Sequence, residues 1–345
     1  MSKILLVRWK HRGEQEGHFS EHWELVNSAA RNYFDECVNI DLNSDDFAIG
    51  LIQLTQCLSR ERPDLTHFEW FHDFEKYSHL IASIFESFDL KWTTLGAATG
   101  VVRDGHSNEF LRSQLMGLAQ SRCFAGLITW DYFLENRSGF KLPHIFGIPD
   151  FQDAEVNPNH CAECKIFKNK KKLHIGVLGQ LYAYRGSHLL MTSWLRNPIF
   201  KPFMIGDYQA SSHRKKIRVL IGFLRFTRVI GFSGTWIDGS SKLNHVISHA
   251  DAVFIDTKSY PYPSGIVIRS RQLGVPVIIA NADSFLRDLS ASDSGIIVMD
   301  LSKVSKAKLR EVISEAKRQP RLVGASRNDL MTRFGDIWRA IDGTT

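Results

Sequence analysis

Long hydrophobic runs are absent from this chain of 345 residues. A membrane-spanning helix needs about 20 consecutive apolar residues, and no stretch of the sequence approaches that length. Short-period repeats and low-complexity segments are also absent, which excludes solenoid and fibrous architectures. The first apolar segment, residues 4–7, ends at Arg8, which predicts a first strand and argues against a secretory signal peptide. We therefore expect a globular cytoplasmic protein.

Cysteine is scarce, with five residues scattered over the chain. An odd number at irregular spacing argues against a disulfide framework. Cys161 and Cys164 form one C-x-x-C pair beside His160. A structural zinc site takes four ligands, usually from two such pairs, and the sequence holds no second C-x-x-C. The pair could be a metal or redox site or two thiols of a linker. We adopt the second interpretation and predict no metal site and no cofactor.

The balance of charge is mildly basic, because 43 Lys and Arg residues stand against 37 Asp and Glu residues. This balance favours anionic partners, either phosphate groups or an acidic membrane face. No motif that interleaves basic and aromatic residues is present, so we predict no nucleic-acid partner. Residues 213–228 combine basic and apolar residues at helical spacing. They indicate either a helix that lies on an anionic membrane or a domain helix with a charged outer face.

Strand-like and helix-like segments alternate in two series along the chain. Apolar runs such as residues 3–7 and 173–178 are followed by amphipathic helical patterns, which predicts parallel sheets with helices on both faces. Residues 151–172, between the two series, are polar and end in a basic run. We therefore predict an α/β fold of two Rossmann-like, doubly wound domains that face each other across a cleft. The predicted divisions are a first domain at 1–155, a linker at 156–172, a second domain at 173–325, and a C-terminal helix at 326–345 that packs back toward the first domain.

Strand ends in the second half carry residues suited to phosphate binding. Gly179 ends a strand, and Arg185 and Gly186 then open a helix. The first amides of a helix attract anions, and an arginine fork matches two phosphate oxygens. Residues 259–289 predict a loop, a helix, a buried strand and an acidic-ended turn. Further segments of this kind are Gly206-Asp207, residues 232–236 and Ser264-Gly265.

This order of segments resembles the nucleotide-binding domain of GT-B glycosyltransferases, specifically the family-4-like group, over residues 173–341. The resemblance implies that the second domain binds a nucleotide-diphosphate sugar and that the first domain binds the acceptor. The implied donor-binding residues are Gly179, Gln180, Arg185, Gly206, Asp207, Trp236, Ser264, Gly265, Ile266 and Arg269. The first half resembles the family only in outline, through glycines near residue 13 and the segment 147–149.

The chain departs from that family at the residues that recognise the sugar. The family carries two glutamates eight positions apart, one contacting the transferred sugar and the other the ribose. The corresponding positions here fall near Tyr260 or Pro261 and on Arg269. The family's first phosphate-binding arginine is replaced by Gln180. Arg269 either contacts the diphosphate or is a solvated residue of a degenerate site, and we predict phosphate contact.

The family's histidine after a first-domain strand, expected near Thr94, is also absent. An inverting transfer needs a base that takes a proton from the acceptor hydroxyl. The candidates fall in loops predicted to follow first-domain strands: His18, His72, Asp73 and His106. A retaining transfer, in the accepted picture for the family, would need no side-chain nucleophile. The sequence leaves the stereochemistry open.

The leading hypothesis from the sequence is a hexosyltransferase that moves a sugar from a nucleotide-diphosphate donor to a glycan or lipid-linked acceptor in surface polysaccharide biosynthesis. It would be cytoplasmic, with peripheral contact to the inner face of the cell membrane, and would use no metal. The missing glutamates favour an alternative, a catalytically inactive glycosyltransferase-like binding protein. A third hypothesis is a sugar-nucleotide epimerase of the same fold, which needs an acid cluster that we cannot assemble from the sequence.

Overall fold

The structure is a computed structural model that describes the chain in segments. The described residues are 2–10, 18–43, 46–69, 74–95, 118, 120–129, 145–148, 162–167, 172–181, 186–208, 214–227, 229–234, 237, 240–256, 265–280, 284–322 and 325–343. The chain divides into two compact units, Met1–Phe151 with Ala325–Thr345 and Gln152–Gly324. The C-terminal segment therefore belongs to the same unit as the N-terminal part of the chain.

The first unit contains a parallel β-sheet. Its strands are β1 (Lys3–Lys10), β2 (Glu36–Asn43), β3 (Leu65–Glu69), β4 (Lys91–Leu95), β5 (Phe124–Thr129) and β6 (Ile145–Gly147). Their order in the sheet is β2-β1-β3-β4-β5-β6. Because successive side chains of a strand point to opposite faces, Leu5 and Val7 of β1 join one buried core while Ile4 and Leu6 join another. A continuous apolar run fits a strand that is buried on both faces.

Three helices follow the first strands of this unit: α1 (His18–Tyr33), α2 (Phe47–Glu61) and α3 (Phe74–Phe88). Asp46 caps α2, since its carboxylate accepts hydrogen bonds from the amides of Ala48 and Ile49 at 3.0 and 3.2 Å. A capping carboxylate satisfies amides that have no acceptor within the helix.

The second unit contains another parallel sheet. Its strands are β7 (His174–Gln180), β8 (Lys201–Asp207), β9 (Gly231–Ser233), β10 (Ala252–Ile255), β11 (Val277–Ile279) and β12 (Ile296–Val298). Their order in the sheet is β12-β11-β10-β7-β8-β9. Both sheets are parallel, and their strands alternate with helices along the chain. This confirms the predicted α/β class with two Rossmann-like units.

A short 3₁₀ helix, Ala162–Phe167, precedes β7. The α-helices of the second unit are α4 (Ser187–Arg196), α5 (Lys215–Phe226), α6 (Ser240–Ser248), α7 (Gly265–Gln272), α8 (Ser284–Ser292) and α9 (Lys306–Arg318). The turn predicted at the end of residues 259–289 is wrong, because α8 begins there. Its buried residues include Leu286 and Leu289, which stand three positions apart, the spacing of one face of a helix.

The last helix, α10 (Arg327–Asp342), packs against α1 within the first unit. It begins with a capping box, in which Ser326 and Asp329 satisfy each other's backbone amides. The ring of Trp338 lies 5.6 Å from that of Phe34, and Arg333 donates through Nε to the carbonyl of Gly147 at 3.2 Å. Among the described residues, no helix has both the length and the apolar character of a bilayer-spanning segment.

Candidate functional site

The carboxyl ends of β7 and β8 form a close glycine pair. Gly179 and Gly206 stand opposite each other, and the amide of Leu181 donates to the carbonyl of Asp207 at 2.8 Å. Gly206 has a φ of 142°, and a Cβ built on it would lie 1.8 Å from the carbonyl oxygen of Gly179. No side chain fits there. The predicted donor residues Gly179, Gly206 and Asp207 therefore lie together at adjacent strand ends.

Helix α4 begins against the carboxyl end of β10. Its N-cap is Gly186, which has a φ of 108° and no side chain that could accept from the first amides of the helix. A Cβ built on Gly186 would lie 2.9 Å from the amide nitrogen of Asp256. The first amides of a helix lack acceptors within the helix and carry the positive end of its dipole. The start of α4 is therefore suited to bind an anion such as phosphate.

Helix α7 begins close to the same edge of the sheet. Gly265 is its first residue, and a Cβ built on Gly179 would lie 3.8 Å from Cγ1 of Ile266. The predicted donor residues Gly265 and Ile266 therefore lie beside Gly179. Two helix N-termini and a glycine pair thus lie at the carboxyl edge of this sheet, where open α/β sheets bind their ligands.

Two titratable residues at this edge escaped the sequence analysis. His188 is the second residue of α4, and its pKa is lowered by burial and by the positive charge of Arg214, against the opposing charge of Asp256. Asp256 directly follows β10. A neutral imidazole here can hydrogen-bond to a phosphate or a sugar hydroxyl. Their positions, directly after a helix start and a strand end, were the sequence signal that could have identified them.

Arg269 is buried in the second unit, at 3% exposure. Its Nη1 donates to Oδ1 of Asn244 in α6 at 2.9 Å, so the alternative of a solvated surface residue is wrong. Arg271, two residues on, is fully buried and donates to both carboxylate oxygens of Asp293, at 2.8 and 3.0 Å. Arg271 therefore stabilises the fold. The predicted phosphate contact of Arg269 stays a prediction.

Several predicted residues lie outside the described part of the chain: Arg185, Trp236, Ser264, His72, Asp73 and His106. Gln180 is the last residue of β7. His18 is the first residue of α1, so its predicted place in a loop is wrong. The roles proposed for all of these stay predictions from the sequence.

A buried carboxylate ends β3 in the first unit. Glu69 is 4% exposed, and burial raises its pKa well above the ordinary value while Arg8 opposes the rise. Arg8 also donates to Asp41 at 2.9 and 3.1 Å and lies 4.9 Å from the ring centroid of Trp23. A buried carboxyl group with a raised pKa keeps its proton more readily than an exposed one and can donate it as a general acid. Glu69 is therefore a further candidate acid or base, and its place at a strand end was the available sequence signal.

Comparisons with protein-family models and with curated proteins give no match. Solved structures do match over the whole chain. Sucrose-phosphate synthase from Thermosynechococcus elongatus is 14% identical, with 100% of this chain and 97% of that chain covered, and a TM-score of 0.63. Anabaena HepE, solved with UDP and glucose, is 13% identical, with 100% and 95% covered, and a TM-score of 0.59. The UDP-GlcNAc 2-epimerase of Methanocaldococcus jannaschii, solved with UDP-GlcNAc and UDP, is 12% identical, with 98% and 99% covered, and a TM-score of 0.54.

These likenesses show that the chain has the GT-B glycosyltransferase fold. This confirms the fold that the sequence resemblance implied. At identities of 9–14%, the likeness defines the fold alone, because one fold supports several reactions. An epimerase, sucrose-phosphate synthase and HepE share this fold, so the reaction must be argued from the residues of the site.

Proposed function

We propose that the protein is a glycosyltransferase that uses a nucleotide-diphosphate sugar as donor. The observation that carries the proposal is the meeting of two helix N-termini, at Gly186 and Gly265, with the glycine pair Gly179 and Gly206. Backbone amides and helix dipoles at one edge are suited to two linked phosphates. The complex of HepE with UDP and glucose, on the same fold, supports a donor of this class.

In this proposal the second unit holds the diphosphate and the first unit binds the acceptor. Negative charge develops on the departing diphosphate as its bond to the sugar breaks, and preorganised amides stabilise such charge. Arg185 would add a two-pronged contact to the phosphate oxygens. No metal takes part in the transfer. If the transfer inverts the sugar, Glu69 joins the candidate bases His18, His72, Asp73 and His106.

We further propose that the enzyme transfers a hexose to a glycan or lipid-linked acceptor in surface polysaccharide biosynthesis, in peripheral contact with the membrane. Helix α5 supports the membrane contact. It is a domain helix with one buried apolar face, and its outer face carries a second apolar stripe. The stripe consists of Val219, Phe223 and Phe226, exposed by 66%, 62% and 86%.

Basic residues flank this stripe, namely Arg214, Lys215, Lys216, Arg218 and Arg225, and residues 214–227 contain no acidic residue. At 100° per residue, the stripe lies opposite the buried face of the helix, with the charges on either side of it. Exposed aromatic residues bordered by basic ones are typical of helices that lie at an anionic membrane interface.

Nucleotide binding tests the proposed donor site. We expect UDP, GDP or another nucleoside diphosphate to bind the purified chain in calorimetric titrations. Arg185→Ala should weaken binding by about 10- to 150-fold, since a charge-assisted hydrogen bond contributes about 1.5–3 kcal/mol. Arg196→Ala, at the other end of α4, is the matched control and should bind like the wild type. If no nucleoside diphosphate binds the wild type, the proposal fails.

The second candidate function is a glycosyltransferase-like binding protein without catalysis. The hydrogen bond from Arg269 to Asn244 favours it, because the family resemblance implies a ribose-binding glutamate at this position. Turnover separates the two candidates. Release of nucleoside diphosphate from a sugar nucleotide, with or without an added acceptor, excludes the inactive protein. An epimerised sugar nucleotide, detected by NMR, would instead identify the epimerase reaction.

A further inference from the structure

Three potential metal ligands meet in the second unit, away from the candidate donor site. Cys164 in the 3₁₀ helix, His245 in α6 and His249 just after α6 bring one ligand atom each within 4.8 Å of one another. Cys164 is half-buried, His245 is buried and His249 is exposed. The two imidazole rings lie 4.6 Å apart, as expected for residues one helical turn apart. The fold thus joins a cysteine and a histidine pair that are remote in sequence.

The spacing of these atoms is close to that of a tetrahedral zinc site. Zinc binds thiolate sulfur at about 2.3 Å and imidazole nitrogen at about 2.0–2.1 Å, so its ligand atoms lie roughly 3.3–3.6 Å apart. The three ligand atoms lie within 4.8 Å of one another, so small rotations of the three side chains would bring them to the distances that a zinc ion needs. A thiolate with two imidazoles is a donor set that favours zinc over magnesium or calcium.

A hydrogen bond prepares His249 for metal binding. Its Nδ1 lies 2.9 Å from the carbonyl oxygen of His245. A carbonyl oxygen can only accept, so Nδ1 carries the proton and the lone pair is on Nε2. Metal-binding histidines are usually oriented in this way, by donating their second ring nitrogen to a carbonyl or carboxylate.

The cluster lies at the amino edge of the second sheet. Phe167, at the end of the 3₁₀ helix, packs 5.6 Å from His174, which begins β7, and 6.1 Å from His249. The glycine pair and the helix N-termini lie at the opposite, carboxyl edge. A metal in the cluster would therefore attach residues 162–167 to α6 and would take no part in sugar transfer.

We propose that Cys164, His245 and His249 bind a structural zinc ion that fastens the segment before β7 to the second unit. Tetrahedral zinc takes four ligands, so these three residues leave one position for water or another donor. Cys161, the other cysteine of the C-x-x-C pair, lies outside the described residues. No metal was predicted from the sequence because the sequence contains no second cysteine pair, whereas the structure brings a histidine pair close to Cys164.

Metal analysis of the full chain, expressed without a polyhistidine tag, tests this proposal. We expect about one zinc ion per chain after dialysis. Cobalt should substitute for zinc and give the thiolate charge-transfer band and strong visible bands of tetrahedral coordination. Cys164→Ser should abolish the charge-transfer band, and His249→Ala should weaken zinc binding by more than about tenfold, since even loss of an outer hydrogen-bond partner costs 10–100-fold. Cys37→Ser and His79→Ala, both in the first unit, are matched controls that should keep the metal.

Two results would overturn the proposal. One is a wild-type chain, purified from zinc-supplemented cells, that holds no zinc after dialysis and gives no cobalt–thiolate band. The other is a Cys164→Ser variant with the metal content and cobalt spectrum of the controls. Circular dichroism of each variant identifies any that fails to fold, and the exposed position of His249 makes His249→Ala the variant least expected to disturb packing. These readouts do not depend on the proposed transferase activity.

Discussion

Burial of His67 predicts that acid weakens the first unit. The side chain is fully buried in β3, its Nδ1 lies 2.9 Å from Oγ1 of Thr93, and its ring packs against Phe334 and Trp338 of α10 at 6.0 and 5.8 Å. Burial lowers its pKa from 6.5 to about 3, because the charged imidazolium would lose its hydration. Below pH 6.5 the unfolded chain therefore binds a proton that the folded chain does not.

The sign and size of the effect follow from this difference. Stability from the neutral imidazole is fully present above pH 6.5 and is lost as the pH falls from 6.5 toward 3. Each pH unit in that window lowers the free energy of unfolding by about 1.4 kcal/mol. Between pH 7 and pH 5 the loss from this single group is about 2 kcal/mol. A loss of that size is a large fraction of the stability of an ordinary domain.

His67→Asn is the decisive variant, because asparagine cannot titrate and keeps a polar atom within reach of Thr93. Hydrogen exchange of the β3 amides at pH 7 and pH 5, corrected for intrinsic rates, measures the local free energy of opening. We expect the loss on acidification to be about 2 kcal/mol smaller in this variant than in the wild type. His79→Asn, at an exposed histidine of the same unit, should leave the loss unchanged. Equal losses in wild type and His67→Asn, or an NMR titration of His67 near pH 6.5, would refute the reasoning.

Three further tests, two of them with a matched control, address the second unit. Gly206→Ala should destabilise this unit by about 3 kcal/mol or more, because the new Cβ meets a carbonyl oxygen. Gly222→Ala in α5 is the control: its Cβ enters open space, so it should stabilise the unit by about 0.5–1 kcal/mol. Chemical denaturation measures both changes in the free energy of unfolding. Asp293→Asn should cost about 3 kcal/mol or more in the same assay, since it breaks a buried ion pair, and a loss below 1 kcal/mol would contradict this role. Phe226→Ser should reduce binding to anionic phosphatidylserine vesicles. Leu195→Ser, at another exposed apolar residue, should leave binding unchanged. Equal losses in the two variants would argue against membrane contact through the apolar stripe of α5.

Much of the fold could be predicted because strands buried on both faces leave a strong pattern. Ile4 to Val7 and Val277 to Ile279 are continuous apolar runs with almost no exposure, and polar turn residues follow each run. The missed helix α8 shows the limit. It has nine residues, too few for a stable isolated helix, so it depends on tertiary packing that the local sequence does not reveal.

The candidate sites divide in the same way. Gly179, Gly206 and Gly265 could be found from the sequence, because a glycine at a strand end or helix start marks a backbone conformation. Glu69 ends β3, in which all five residues are buried, and that burial depends on tertiary packing that the local sequence does not reveal. The meeting of Cys164 with His245 and His249 depends on the path of the chain between them, which spacing alone cannot give.

The proposed zinc site and the proposed donor site lie at opposite edges of one sheet, which separates their effects. β7 runs from His174 to Gln180, and at about 3.3 Å per residue it spans roughly 20 Å. An ion at the amino edge therefore cannot contact a donor at the carboxyl edge, and it acts only through the stability of the unit. Chelation should lower the unfolding temperature of the second unit, because a ligand that binds the folded state stabilises it. Nucleotide affinity, measured well below that temperature, should change little, whereas a metal that took part in transfer would affect binding or turnover first.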